Sequence, residues 1–329
     1  HLNSTNISFL YSMVQRDPTV LAGISSHEFF HLWNVKRIRP LELGPFDYTG
    51  MVRSRHLWFC EGVTSYYGDL TLARARIWDE DRYLKHLAQE IEALQNNPDR
   101  KITSVERAAE VVWDRKDWPR VDYYNKGELL GLLFDLAIRT ATENSKSLDD
   151  VMRHLYTHYV VQPSQAGAGP IGVGFESNGI LKAINGVSGQ DFTEFYSKHV
   201  RGLEELPYED ILGAAGLEVK MTVAKGDPDL PLTLRGTQVV QVLEGSEAET
   251  AGFRKGDRIV EVNGTEVTRA TFRDLLKGLK PGEKAALTVE REGERIPLKI
   301  KVTERESTRC SLKRKKELSD LQKKILDGW

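Results

Sequence analysis

The sequence predicts a multidomain chain, mainly helical over its first two-thirds and ending in a small α+β domain. Three observations carry that reading. Up to about Leu206 apolar residues recur at helical spacing, as do Leu84, Leu87, Ile91 and Leu94 between Glu80 and Asn96. From Gly216 onward β-type runs at 239–242, 258–262 and 285–289 take over, with turn pairs at Asn263-Gly264 and Pro281-Gly282. The composition changes at Leu206-Pro207. A length of 329 residues suits two or three domains. The expected boundaries are a first domain at 1–206, a second at 212–303, and a charged linker with a C-terminal helix over 304–329. In that tail Leu318, Leu321, Ile325 and Leu326 share one helical face.

Charge excludes some partners. There are 46 Lys and Arg against 48 Asp and Glu, a formal net charge of −2, so nothing draws the chain to nucleic acid or an anionic membrane. No apolar run approaches the ~18 residues of a membrane span. The two cysteines, Cys60 and Cys310, form no disulfide framework and leave the compartment open between cytoplasm and periplasm.

The chemistry centres on His27-Glu28-Phe29-Phe30-His31. Alternating apolar positions (Ile7, Phe9) predict a strand and loop over 1–14. A helical pattern then runs from Thr19, just after Pro18, through Leu21, Ile24, Phe29, Phe30 and Trp33, and should end before Pro40. Histidines four apart on a helix share a face, so two neutral imidazoles can bind one Zn²⁺ while the adjacent Glu28 works on its water. This is the HExxH pattern of zinc peptidases. Such a site needs a third ligand. Glu61 lies in an apolar-aromatic helix over 57–67, where an unpartnered carboxylate is costly. The residues alone leave alternatives: Glu61 paired with Arg53 or Arg55, or His56 as the third ligand. Cys60, about 100° round a helix from Glu61, reads as packing.

His27 to Pro40, with Trp58-Phe59-Cys60-Glu61-Gly62-Val63-Thr64-Ser65-Tyr66-Tyr67, closely resembles the glycyl aminopeptidase family of zinc metallopeptidases, of the thermolysin-like group. The resemblance implies one zinc held by His27, His31 and Glu61, Glu28 as general base, and a helix-rich thermolysin-like domain. Tyr123-Tyr124-Asn125-Lys126-Gly127, before an apolar helix at 128–138, is similar to the element that supplies a catalytic tyrosine in related aminopeptidases. By that match Tyr124 donates a hydrogen bond to the developing oxyanion, with Tyr123 as the alternative. His1-Leu2-Asn3-Ser4-Thr5 resembles the tail of the family's Gly-Gly-x-Glu-His-x-x-Ser segment. The expectation is therefore a chain truncated at its N-terminus, lacking the glutamate that binds the substrate amine, holding zinc but cleaving glycyl substrates poorly.

Other features read as scaffold. His154 and His158 are four apart but lack a following Glu. Lys36, Arg37 and Arg39 suit salt bridges within the domain as well as a peptide carboxylate. The glycine-rich stretch 167–179 lacks the Gly-Lys-Ser/Thr ending of a phosphate loop and reads as a surface loop.

The order 245–253, Lys255-Gly256-Asp257-Arg258-Ile259, then Val262-Asn263-Gly264, with a helix at 269–277, resembles bacterial PDZ domains over 212–303. Such domains bind an extended peptide as an added strand and hold its C-terminal carboxylate with backbone N–H groups. Gly216, Leu217, Glu218 and Val219 are the expected carboxylate loop and strand for a C-terminal peptide ligand. The function implied is a zinc aminopeptidase acting on peptides with N-terminal glycine or alanine. The alternatives are a zinc endopeptidase and a PDZ-based peptide-binding adaptor with a non-peptidase zinc domain.

Overall fold

The computed structural model describes residues 3–8, 12, 15, 20–114, 121–168, 172–242, 245–268 and 270–329. The expected strand at 1–14, the surface loop at 167–179 and the start of the 269–277 helix lie partly outside them. Two compact units form, 1–221 with 310–329, and 222–309.

The first unit is helical. Its helices are α1 Val20–Phe30, a π-helical turn Trp58–Val63 that runs into α2 Thr64–Arg74, α3 Glu80–Gln95, α4 Val105–Glu110, α5 Tyr123–Ala141, α6 Leu148–Tyr156, α7 Gly179–Ser188 and α8 Tyr208–Ala214. α5 is the axis. Leu129, Leu130, Leu132, Leu133, Phe134 and Leu136 are all buried, and a helix apolar on most sides sits inside its domain. It packs against the π turn, α2, α3, α4 and α6. Its first turn is set by Asp122, whose side chain accepts from the Tyr124 N–H at 2.8 Å. The helix thus starts at Tyr123, not Glu128, and takes both tyrosines into its first turn. α1 ends at Phe30, well before Pro40, because Asn34 and the turns around it are tied to the π turn rather than to a continuing helix.

The second unit is a six-stranded antiparallel sheet of strands β2 Thr233–Arg235, β3 Gln238–Gln241, β4 Arg258–Val262, β5 Thr265–Glu266, β6 Lys284–Arg291 and β7 Glu294–Lys301, ordered β2-β3-β4-β6-β7 with β5 on β4. Along β6, Ala285, Leu287 and Val289 point inward, the period-two alternation of a one-sided sheet. They meet Ile259, Phe253, Phe272 and Ile300 in the core. The β6–β7 hairpin turns through Glu292 and Gly293, both at positive φ (53° and 88°), where glycine is at ease. Two short helices, α9 Glu247–Thr250 and α10 Phe272–Lys277, complete it. This is a PDZ-like domain.

The tail departs from expectation. Residues 304–316 are no linker: most of them form β8 Thr303–Arg314, which pairs with the long β1 Leu217–Asp229 in a two-stranded ribbon. A ribbon leaves most side chains in solvent, so it tolerates the charges that make the stretch read as linker; only Leu312 is buried. After it α11 Asp320–Gly328, capped by Ser319 and Gln322, buries Ile325 and Leu326 in the helical core. The PDZ-like unit is therefore inserted within the helical unit's sequence.

Candidate active site

α1 and the π turn bring the singled-out residues together. α1 lies close on α2. The Ser26 hydroxyl donates to the Gly68 carbonyl at 2.8 Å, and a Cβ on Gly68 would come within 3.2 Å of the His27 backbone. The π turn lies equally close to α5. A Cβ on Gly62 would sit 2.4 Å from Gly127 Cα, so both positions require glycine. Asn34, fully buried, donates from Nδ2 to the Phe59 carbonyl (2.8 Å) and Thr64 Oγ1 (3.1 Å), locking the chain after α1 to the π turn.

The result is a convergence on one carboxylate oxygen. His27 Nε2 and His31 Nε2 each lie 3.3 Å from Glu61 Oε2. The far side of each ring fixes its proton. His31 Nδ1 is 2.7 Å from the Asn34 backbone carbonyl, which can only accept, so Nδ1 carries the proton. Ser65 Oγ donates to the Glu61 carbonyl at 3.1 Å, and it is left to accept from His27 Nδ1 at 3.2 Å. Neutral rings so held turn two lone pairs on Nε2 toward an anionic oxygen. Acceptors facing an acceptor need a cation between them, and tethered Nδ1 protons are how metal-binding histidines are oriented. Ligands on a tetrahedral zinc at 2.0–2.2 Å stand about 3.3 Å apart, so this donor set fits that ion. Where a proton in place of a metal ion sits on a ring Nε2, the ring becomes an imidazolium that donates to Glu61; burial pushes the Glu61 carboxyl up, but such bonds from His27 and His31 outweigh it and hold it at about 2. Burial likewise opposes a charged His31 ring, yet Glu61 raises its pKa overall.

Glu28 sits beside this set. A carboxylate oxygen lies within 4.8 Å of the ligand atoms of His27 and His31, and Thr5 Oγ1 donates to Oε2 at 3.1 Å. Tyr124 stacks over His27, ring centroids 6.2 Å apart. Although 41% of Tyr124 is exposed, burial of its hydroxyl and the nearby Glu61 charge raise its pKa, so it stays a hydroxyl and a donor. All five residues line a cleft of about 1170 Å³.

Other singled-out residues lie elsewhere. His56 is buried against Glu42 Oε1 and the Ser177 carbonyl, both at 3.2 Å. Arg53 and Arg55 bind Asp114 and Glu110, not Glu61. His154 and His158 stack on each other at 5.8 Å. Gly216, Leu217, Glu218 and Val219 belong to the helical unit: Leu217 is buried in its core, and the Gly216 carbonyl accepts from the Lys315 N–H at 2.9 Å. They are not a carboxylate loop of the PDZ-like unit, because the first strand pairs with β8. Sequence reading passed over Asn34 and Ser65, which hold the rings: Ser65 meets His27 38 residues away, and Asn34, whose carbonyl meets the nearby His31, is itself fixed by Phe59 and Thr64, 25 and 30 residues away.

The first unit is a helical, peptidase-like domain and the second is PDZ-like. Residues 20–130 match the model of the M61 glycyl aminopeptidases and residues 213–302 that of PDZ domains. The chain carries an M61 glycyl aminopeptidase domain and a PDZ domain. It superposes over 99% of its length on 56% of an aminopeptidase N family protein from Idiomarina loihiensis, with a TM-score of 0.69 and 22% identity, a likeness of fold. It is 26% identical over 180 residues to the serine protease HTR4 of Bos taurus, covering 50% of this chain and 37% of that protein. An Agrobacterium fabrum protein named provisionally as a zinc metalloprotease is 42% identical over 72 residues, 21% of this chain and 19% of that one. The chain thus spans little more than half of these relatives at most. Among the described residues no helix is long and apolar enough to cross a membrane.

Proposed function

We propose that the chain is a zinc-dependent aminopeptidase acting on peptides with N-terminal glycine or alanine. The observation that carries the reading is the meeting of two tethered imidazoles with Glu61, with Glu28 alongside in an open cleft. The preference for small residues rests on the family match. In this reading His27, His31 and Glu61 hold one zinc, which would supply Lewis acidity to the scissile carbonyl and acidify water. Glu28 takes the proton of the attacking water and passes it to the leaving amine. The Tyr124 hydroxyl donates to the carbonyl oxygen as negative charge gathers there. Asn34 and Ser65 keep both rings oriented throughout.

The PDZ domain, in this reading, binds an extended peptide. Among the described residues β2 pairs only with β3 in the sheet order, which makes its other edge the candidate for an added strand.

The test compares wild type with Glu28→Gln on glycyl- and alanyl-p-nitroanilide and on their N-acetylated forms. The variant should keep its zinc and lose about 10²–10⁴-fold in turnover. Wild-type rate in the variant would remove Glu28 as base, and cleavage confined to the acetylated substrates would make the enzyme an endopeptidase.

A further inference from the structure

Beyond Glu61, α2 carries Asp69 into a second cluster. His86 of α3 stands between Asp69 and Glu128 of α5, its Nε2 2.8 Å from Asp69 Oδ2 and 3.2 Å from Glu128 Oε1. One donor atom from each of three helices lies within 4.8 Å of the other two. Asp69 and Glu128 line the cleft, so the cluster is reachable from it.

We propose that Asp69, His86 and Glu128 form a second divalent-cation site, of the zinc class, distinct from the site at His27, His31 and Glu61. The first argument is charge. A neutral imidazole with two ionised carboxylates carries −2; without a metal ion protons offset this, the two carboxylates holding His86 charged against its burial and burial pushing the Glu128 carboxyl up where it is only 4% exposed. A divalent ion with a neutral ring brings the cluster to zero, and buried charge persists where it is matched. The second is donor capacity. One Nε2–H cannot point well at two carboxylate oxygens, whereas a metal ion accepts a lone pair from all three groups at once. The third is a buried group beside the cluster that lacks a partner. The Tyr83 hydroxyl, in a residue 3% exposed, has no hydrogen-bond partner, and after burial the charges of Glu128 and Asp69 act on it most. A water on a bound ion would give that hydroxyl a partner. One imidazole with two carboxylates suits zinc, manganese or cobalt and is a poor set for calcium, which takes oxygen ligands in larger number. The 2.8 Å between His86 and Asp69 must open by about half an ångström to reach the spacing on tetrahedral zinc. Both side chains are partly exposed, 25% and 16%.

The experiment separates this site from the first. The full-length His27→Ala/His31→Ala variant is stripped with a chelator, checked for fold by circular dichroism, and titrated calorimetrically with zinc chloride, calcium chloride serving as control. One zinc per chain is expected, with affinity falling at least tenfold when His86→Ala or Asp69→Asn is added. A folded double variant that takes up no zinc overturns the proposal, and so does zinc binding that neither added substitution weakens. Should the double variant fail to fold, His27→Gln/His31→Gln replaces it, the same outcomes counting the same way. The result does not depend on whether the first cluster proves catalytic.

Discussion

The polar groups of the helical unit's cleft are partnered differently from the one buried in the PDZ unit. In the PDZ unit Asp257 is the sole buried polar side chain among the described residues, and its partners are complete. Arg291 donates to it from Nε and Nη2 at 2.7 and 2.8 Å, and the Arg254 N–H adds a third bond at 2.8 Å. The same guanidinium also donates to the Gly252 carbonyl. In the helical unit, by contrast, Glu61 faces two ring nitrogens whose protons are committed elsewhere, and Asp69 and Glu128 compete for one nitrogen. Saturated polar burial holds a fold together; converging groups that lack one cation or proton mark where chemistry is possible. The contrast agrees with placing the proposed chemistry in the helical unit.

The strongest way to test the contrast is to remove the shared acceptor. Glu61→Ala leaves two imidazoles and no anion. Total zinc measured by elemental analysis should fall by about one ion per chain relative to wild type, the ion held at Asp69, His86 and Glu128 remaining. Turnover should fall about 10³-fold, the effect of losing roughly 4 kcal/mol of Lewis-acid stabilisation. Full zinc occupancy in that variant would mean that the carboxylate was, like Asp257, a structural group.

A smaller effect is expected from the groups that hold the site. Asn34→Leu leaves the Phe59 carbonyl without its donor in a fully buried place. Orphaning one buried acceptor costs about 2 kcal/mol. All six tryptophans lie in 1–221 or 310–329, so their emission reports the helical unit alone. The tryptophan-detected melting temperature should drop by several degrees. An unchanged melt would show that the Asn34 side chain contributes nothing to stability.

What was legible in the sequence follows the same division. His27, His31 and Glu28 announce themselves because their relation is local, one turn of helix, and the PDZ domain because its glycine-bearing turns recur at short intervals. Helix α3 is nearly residue-perfect in the sequence for the same reason: its apolar period is set within one element. The ends of α1 and α5 were not legible, since Asn34 and Asp122 decide them through a tertiary tie and a cap. The pairing of β1 with β8 joins stretches more than 70 residues apart and so leaves no local trace. Nor does the Asp69–His86–Glu128 cluster, which three separate helices assemble.

The smallest expected effect tests the PDZ side. Asp257 has a carboxyl held below its ordinary pKa: burial opposes this, but Arg291 and the Arg254 N–H outweigh it. A carboxyl whose folded pKa is depressed stabilises the fold above its unfolded value of about 3.9 and loses that contribution as pH falls through the lower, folded value. Asp257→Asn keeps the shape and removes the charge, so it should cost about 1.5 kcal/mol near pH 7, the scale of a charge-assisted bond. The gap between wild type and variant should then close as pH drops below about 4. No tryptophan lies in 222–309. The loss should therefore appear in melts followed by far-ultraviolet circular dichroism, with tryptophan emission unmoved. A gap that stays constant from pH 7 to pH 3 would mean that Asp257 acts through its shape and not its charge, and the contrast between the two units would then rest on the helical unit alone.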